Sequence, residues 1–473
     1  MIHIASDKII DIVGGKLLKA GDASALLTGV STDTRSLESG DVFFALSGEK
    51  FDAHDFLDIA ADRGAGALIV SNPSAAERII SSLSGPLILV DDTLKALQDL
   101  AAYYKKTIAP YTIGVTGSVG KSGLKEMINC VITGAGLRAA STAGNFNSQI
   151  GLPLSILYMP EDTEVLTLEM GMSHSGEIAK LAGIARPEAA VITNVGISHR
   201  ENFKDDDGIF RAKMEIASYF GENETLVINA DDAKLSTLLF GSSAYRIISC
   251  GKGKDCEYRI GHAEYDNDGR LCFSLRHSGE DVEFVIPQGG CHLAYSAALA
   301  AAVVAKLGIS PEQTAEYLRK YEGMPHRLQL FREDMFCVVD DTYNACPDSM
   351  KTALDYLMSL RSDEEGGRSI AVLAGMNELG DDSRELHRMT GEYASLVGVD
   401  ILIAVGDKAG DIYNGFIPRG EGKDKIPVKT NEEATDLLKG LIREGDRILV
   451  KGSRSYATEE IVARITKQSG ETD

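Results

Sequence analysis

No stretch of this 473-residue chain is apolar for long enough to cross a membrane. The longest such run, Ala294 to Ala305, is interrupted by Tyr295 and Ser296 and falls short of the roughly 20 residues a span needs. A secretory signal is not expected either, because Asp7 and Lys8 break the apolar start MIHIASDKIIDIVGG. Cysteine is sparse and scattered, with seven residues (130, 250, 256, 272, 291, 337 and 346) and no Cys-x-x-Cys pair. An odd, dispersed set argues against a disulfide framework or a structural zinc site, and free thiols without a secretion signal predict a reducing, cytoplasmic setting. Positive charge is also in deficit: 48 Lys and Arg against 70 Asp and Glu give a net charge of −22. That balance argues against non-specific binding to nucleic acid or acidic membranes, although a small basic pocket is compatible with it. Internal repeats and long low-complexity tracts are missing as well.

What is present is a globular α/β composition, 44% hydrophobic with 48 glycines. At roughly 150 residues per domain, the length suggests about three domains. Short β-branched runs alternate with helical patterns over the first hundred residues, from Asp41–Leu46 to Leu94–Lys105. Pro110 stops the last helix in a linker-like stretch. From Thr112 longer βα repeats predict a doubly wound parallel sheet, with function at the carboxyl ends of its strands. Residues 257–287 alternate polar and apolar and predict an antiparallel hairpin ahead of an Ala-rich helix at 293–306. A third βα unit starts near Met324. The predicted fold is therefore α/β in three domains, 1–107, 108–322 and 323–473. The central one is a P-loop domain and the last is Rossmann-like. Asp205–Asp207 and residues 361–368 read as solvated loops.

The sharpest local signal is Ile113-Gly-Val-Thr-Gly-Ser-Val-Gly-Lys-Ser122, placed between a strand and a helix. Backbone N–H groups of such a turn cradle phosphate oxygens, Lys121 reaches the terminal phosphates and Ser122 is suited to Mg²⁺. Position 115 is Val where a P-loop carries its first glycine, so Thr116-Gly117 makes the first turn of a variant loop, with Gly117, Ser118 and Gly120 around the phosphates. The competing reading is a helix-start turn with an exposed lysine. Glu169 ends the run Leu166-Thr-Leu-Glu and is a candidate metal ligand, or else a solvated strand-end carboxylate. His199, beyond Val191-Ile-Thr-Asn-Val-Gly, is a second candidate ligand or a loop histidine. Asn145 and Asn147 lie in a glycine-bounded loop, either as substrate hydrogen bonders or as a polar turn. Asp340-Asp-Thr-Tyr-Asn344 suits a ribose or base edge, or forms an Asx turn, and Arg327 is a hinge cation able to meet a phosphate.

Taken in order, these stretches resemble the Mur ligases nearly end to end. The resemblance is carried by Ser31-Thr-Asp-Thr-Arg35 and Asp52-Ala-His-Asp-Phe56, by Thr116–Ser122, Gly144–Pro153 and Glu169-Met-Gly-Met-Ser-His174, and by Asn194–Asn202, Arg211-Ala-Lys213, Asp340–Ala345, Glu378-Leu-Gly380 and Val450–Arg454. It implies a UDP-substrate domain, an ATPase domain and a closing C-terminal domain. The implied activity is amide bond formation through an acyl phosphate, joining D-Ala-D-Ala to a UDP-muramoyl-tripeptide with ATP and Mg²⁺. On this resemblance Lys121, Lys213 and His199 are catalytic, with Lys213 carbamylated, and Ser122, Glu169 and His199 hold metal. Asn145, His292, Arg327, Asp341, Tyr343 and Asn344 join the phosphate loop in binding ATP, while Ser31, Asp33, Arg35 and Asn147 face the substrate. A cytoplasmic monomer is expected. The alternatives are a relative joining another amino acid to a different carboxylate, and a nucleotide-binding module without ligase activity. The chain departs from the family at Asn147-Ser148-Gln149 (usually Asn-Asn-Glu), at Ala53 (usually Gly), at His292-Leu293 (usually His-Asn), at Ser198-His-Arg200 and at Ala374-Gly-Met-Asn377, which lacks the usual Asp.

Overall fold

Runs of Val, Ile, Leu and Phe four to six residues long recur between helical segments, and in the computed structural model most become strands buried on both faces. The structure describes residues 4–21, 26–48, 51–81, 83–196, 202–203, 205–360, 366–377 and 379–466. They form two compact units. One comprises 1–259 with 298–313, and the other 260–297 with 314–473.

The first unit holds two large sheets beside a two-stranded one that pairs Ile4–Ala5 with Leu26–Leu27. The N-terminal large sheet contains β1 (Lys16–Lys19), β2 (Gly29–Ser31), β3 (Asp41–Phe44), β4 (Ala67–Val70) and β5 (Leu87–Leu89) in the order β1-β5-β4-β3-β2, parallel except for β1. Helix α1 (Thr93–Ile108) follows, its first N–H groups capped by Asp92 and its last turn closed by Ala109 in the left-handed region. Pro110 lies just beyond, so the expected linker is a helix stop leading directly into the next strand. The apolar face of α1 is buried, and its polar ends tie the two sheets together. Tyr104 Oη donates to Met159 O (3.0 Å), and Lys105 Nζ donates to Arg186 O (3.1 Å) and Glu188 Oε1 (3.3 Å).

The second sheet of this unit contains β6 (Tyr111–Thr116), β7 (Ala139–Ser141), β8 (Val165–Glu169), β9 (Ala189–Ile192), β10 (Thr225–Asn229) and β11 (Arg246–Gly251). Their order is β11-β10-β9-β6-β8-β7, all parallel. Parallel strands buried on both faces need crossover helices, which α2 (Lys121–Gly134), α3 (Gly151–Leu157), α4 (Glu177–Ala185) and α5 (Asp206–Met214) supply in part. The carboxyl ends of β6, β8 and β9 therefore come together, with β6 in the middle.

Asp205–Asp207 is not a loop, contrary to the sequence reading. Asp205 caps α5, accepting from Gly208 N at 2.7 Å, and Asp206 and Asp207 fill its first turn. Unpaired N–H groups and the positive end of the helix dipole favour carboxylates at that position, so an acidic run can open a helix as readily as line a loop. Of residues 361–368, positions 361–365 lie outside the described residues.

The second unit contains the expected hairpin, β12 (Leu271–His277) and β13 (Glu280–Ile286), with Leu271 opposite Ile286. Helix α6 (His292–Val304) begins in this unit. Its main sheet comprises β14 (Gln329–Arg332), β15 (Phe336–Asp341), β16 (Ser369–Ala374), β17 (Ile401–Val405), β18 (Asp424–Val428) and β19 (Asp446–Lys451). They lie in the order β14-β15-β19-β16-β17-β18, with only β14 antiparallel. Among the described residues no helix is long and apolar enough to cross a membrane.

Replacing Asp205 by Ala removes the cap of the helix that carries Lys213. We expect it to cost about 1 kcal/mol and to lower the midpoint of urea unfolding monitored by circular dichroism.

Candidate active site

The turn between β6 and α2 is set by backbone geometry that only glycine tolerates. Gly117 has φ +151°, and a Cβ there would lie 1.8 Å from Thr193 Oγ1. Gly120 sits in the left-handed region at the start of α2 and offers no side-chain cap. Gly120 thus gives the first turn of α2 no side-chain cap, a condition under which a helix start can take an anion. Neighbouring strand ends brace the loop. Asn194 Oδ1 accepts from Ser118 N and Val119 N, both at 3.0 Å, and Thr193 Oγ1 donates to Val119 O at 2.6 Å. Gly196 N donates to Ser118 Oγ at 2.8 Å. Lys121 Nζ turns back over the loop and donates to Gly117 O at 2.8 Å.

Glu169, the last residue of β8, is buried, with 2% of its surface exposed. Its N–H donates to Thr142 Oγ1 (2.9 Å), its Oε1 accepts from Asn147 Nδ2 (2.9 Å) and its Oε2 accepts from Ser122 Oγ (2.8 Å). Neutral donors hold this carboxylate, and it forms no ion pair with a lysine or arginine among the described residues. A buried carboxylate beside a hydroxyl at a phosphate loop is a hard-oxygen set, which fits Mg²⁺ completed by phosphate oxygens and water. His199 lies outside the described residues, as does Glu378. Among the described residues no group of three or more His, Cys, Asp or Glu side chains is placed to hold a metal ion.

Lys213 reaches the same place from α5. It is almost fully buried. Loss of hydration, and then the field of Lys121, pull its pKa down to about 7, with Asp232 opposing them. Lys121 and Lys213 line a cavity of about 420 Å³ together with Gly117, Asn147, Gln149 and Glu177. Glu177 closes its far loop by accepting from Ser173 N (2.6 Å) and His174 N (3.0 Å), and these bonds help hold its carboxyl below the usual range against burial, which acts the other way.

Other expected residues are placed with different partners. Asn147 lines the cavity, but its amide is spent on Glu169, and Asn145 is exposed in the preceding turn. Ser31, Asp33 and Arg35 form a local turn after β2. The Arg35 guanidinium grips both Asp33 oxygens and holds that carboxyl down at about 2, while Ser31 Oγ donates to Asp33 O at 2.9 Å.

In the second unit Asp341, Tyr343 and Arg327 come together. Asp341 Oδ1 accepts from Leu328 N (3.2 Å) and its Oδ2 from buried Lys451 (2.5 Å), which also donates to Asn344 O (2.9 Å). The Arg327 guanidinium lies 4.1 Å from the Tyr343 ring centroid. His292 sits at the start of α6 beside Gly290, where a Cβ would meet its Cε1 at 2.6 Å.

A glycine turn, a helix start and a lysine grouped in this way define a P-loop phosphate-binding protein built on a parallel sheet. Comparison with known proteins sharpens that class. Residues 26–105 match the Mur ligase family catalytic domain, 115–304 the Mur ligase middle domain, and 326–454 the Mur ligase glutamate ligase domain. The chain is 37% identical to the UDP-N-acetylmuramoyl-tripeptide–D-alanyl-D-alanine ligase of Bacillus subtilis strain 168, over 98% of each chain. It is 33% identical to the enzyme of that description from Escherichia coli K12, over 99% of this chain and 100% of the relative. Its fold is similar to the crystal structure of MurF from Acinetobacter baumannii (TM-score 0.86, 28% identity, 98% of each chain covered). It is also similar to a MurF ligase from Thermotoga maritima in complex with ADP (TM-score 0.80, 28% identity, 93% and 97% covered). This chain belongs to the Mur ligase family.

Residues at the site given no role from sequence include Asn194, Thr142 and Asp232. Asn194 had a visible signal, since Thr-Asn-Val-Gly ends a strand as Glu-Met-Gly does two strands away. Thr142 and Asp232 act through contacts that no local pattern encodes. Asn194→Ala should remove the side-chain acceptor shared by the Ser118 and Val119 amides and weaken ADP binding by roughly tenfold, read by calorimetry, with secondary structure retained.

Proposed function

We propose that this chain is an ATP-dependent, ADP-forming ligase that adds D-alanyl-D-alanine to UDP-N-acetylmuramoyl-tripeptide. It would act in the cytoplasm, as a monomer, in the synthesis of peptidoglycan precursors. The observation that carries this reading is a single cavity walled by the phosphate loop and by two lysines, one of them almost fully buried. Relatives matched over nearly their whole length, and described as this ligase, support it. The proposed division of labour is a UDP-substrate domain over 1–107, an ATP-binding domain over 108–322 and a ligase domain over 323–473.

Chemically, the first step brings two anions together, the acceptor carboxylate and the γ-phosphate. An acceptor oxygen attacks phosphorus, the bond to ADP breaks and an acyl phosphate forms. Lys121 and the amides at the start of α2 are proposed to offset the charge on the transferred phosphate. Ser122 and Glu169, with His199, would hold Mg²⁺, which when bound supplies Lewis-acid charge at the phosphates. The amine of D-Ala-D-Ala then attacks the acyl carbon, a tetrahedral intermediate collapses, phosphate leaves and the nitrogen gives up a proton. Arg327, Asp341, Tyr343, Asn344, His292 and Asn145 are proposed nucleotide contacts. Ser31, Asp33, Arg35 and Asn147 are proposed on the acceptor side.

Lys213 is proposed to carry a carbamate. Carbamylation requires the neutral amine: its nitrogen bonds to the carbon of CO₂ and one proton is lost. An ordinary lysine is almost wholly charged at neutral pH, whereas one with a pKa near 7 is about half neutral. The product turns a cation into an anion, reversing the repulsion from Lys121.

With ATP, UDP-muramoyl-tripeptide and D-Ala-D-Ala the protein should release ADP and form the pentapeptide. Absence of both products would overturn the assignment. Lys121→Ala should lower turnover by roughly a thousandfold. Isotope-labelled bicarbonate should give a carbamate signal that rises with pH through about 7 and is absent in Lys213→Met. Short carboxylic acids should partly restore activity to Lys213→Ala.

A further inference from the structure

Helix α2 carries a second lysine one turn beyond Lys121, and the chemistry proposed above makes no use of it. Lys125 is buried, with 2% of its surface exposed. Taking an amine out of water is costly, and an apolar side chain of similar length would fill the same space without that cost. Lys125 spends its amine on one backbone group in particular. Nζ donates to Thr142 O at 2.5 Å and pairs with Glu126 at 2.9 Å. Spaced four residues apart, Lys121 and Lys125 share a face of the helix, and each grips a loop carbonyl.

The carbonyl held by Lys125 belongs to the residue that orients Glu169. Thr142 Oγ1 accepts the Glu169 N–H at 2.9 Å, and Thr142 N donates to Thr167 O at 3.0 Å on the strand that ends in Glu169. Five residues on, Asn147 from the same loop donates to Glu169 Oε1. The 142–147 loop therefore touches Glu169 at both its backbone and its carboxylate, and Lys125 anchors the loop where it leaves β7.

We infer that Lys125 is a positioning residue for Glu169. By fixing the Thr142 carbonyl it sets the direction from which the Glu169 carboxylate enters the metal position. This rests on the proposed role of Glu169 as a ligand to Mg²⁺. The link also explains why a buried amine stands where a methionine would pack: an apolar side chain fills the space but leaves the loop free to shift relative to the strand.

Calorimetric binding of ADP with and without Mg²⁺ tests the inference apart from turnover. In the unaltered protein Mg²⁺ should tighten ADP binding. Lys125→Met should lose about tenfold or more of that enhancement while binding metal-free ADP unchanged, and Lys125→Arg should recover most of it. Thr142→Val, which removes the hydroxyl and keeps the carbonyl, should show the same selective loss, and it decides the matter if Lys125→Met fails to fold. An undiminished Mg²⁺ enhancement in the deciding variant overturns the positioning role, and so does equal weakening of ADP binding with and without metal. If the unaltered protein binds ADP without any Mg²⁺ effect, the assignment of Glu169 as a ligand fails first and the inference with it.

Discussion

The site is organised around a conflict of charge. Lys213 is held out of water within the field of Lys121, and both circumstances favour its neutral form. Asp232 limits the effect without abolishing it. The same carboxylate accepts from Val195 N (2.8 Å) and from Lys234 N (2.9 Å), so it is locked to the strand end that braces the phosphate loop. The net charge of −22 describes the surface of the chain. Within this cavity two amines, one of them with its pKa drawn down to about 7, share a space with the helix start at α2 and with the Glu177 carboxylate.

That arrangement depends on the parallel sheet. β6 lies between β8 and β9, so the phosphate loop, Glu169 and the Thr193–Asn194 pair leave three adjacent strand ends in the same direction. Parallel pairing fixes their heights: Glu169 is level with Val115, and Ile192 with Thr116. Thr116 Oγ1 then donates to Met170 O at 2.8 Å, tying the loop to the residue after Glu169. A register slip would separate Ser122 from Glu169, whose 2.8 Å contact relies on both elements.

Much of this was readable from residue order. The core strands were legible because runs such as Ala67–Val70, Thr225–Asn229 and Ile401–Val405 are apolar and bounded by turn residues. The strands Ala139–Ser141 and Asp424–Val428 were not, since they are edge strands, short or half polar, and take their conformation from a neighbour. The phosphate loop was legible from its glycines and lysine, although not the reason for Gly117, which is the proximity of Thr193 from a strand more than seventy residues away. Lys213 illustrates the limit most clearly. Its sequence surroundings, Phe-Arg-Ala-Lys-Met-Glu, are those of any amphipathic helix, and only burial beside a second lysine gives it its chemistry.

In the second unit the same logic applies to a single arginine. Arg327 stands between His326 (φ +61°) and Leu328 (φ +48°), both in the left-handed region that side chains with a Cβ disfavour. Such strain persists only where surrounding bonds overdetermine it. Here His326 Nδ1 meets Asp340 Oδ2 at 2.8 Å, Leu328 N donates to Asp341 Oδ1, and Gln288 binds the Arg327 carbonyl. The two acids that end β15 thus pin the residues on either side of the arginine, and Tyr343 receives its guanidinium. Asp340 and Asp341 therefore clamp Arg327 in position, each carboxylate bonding the chain on one side of it.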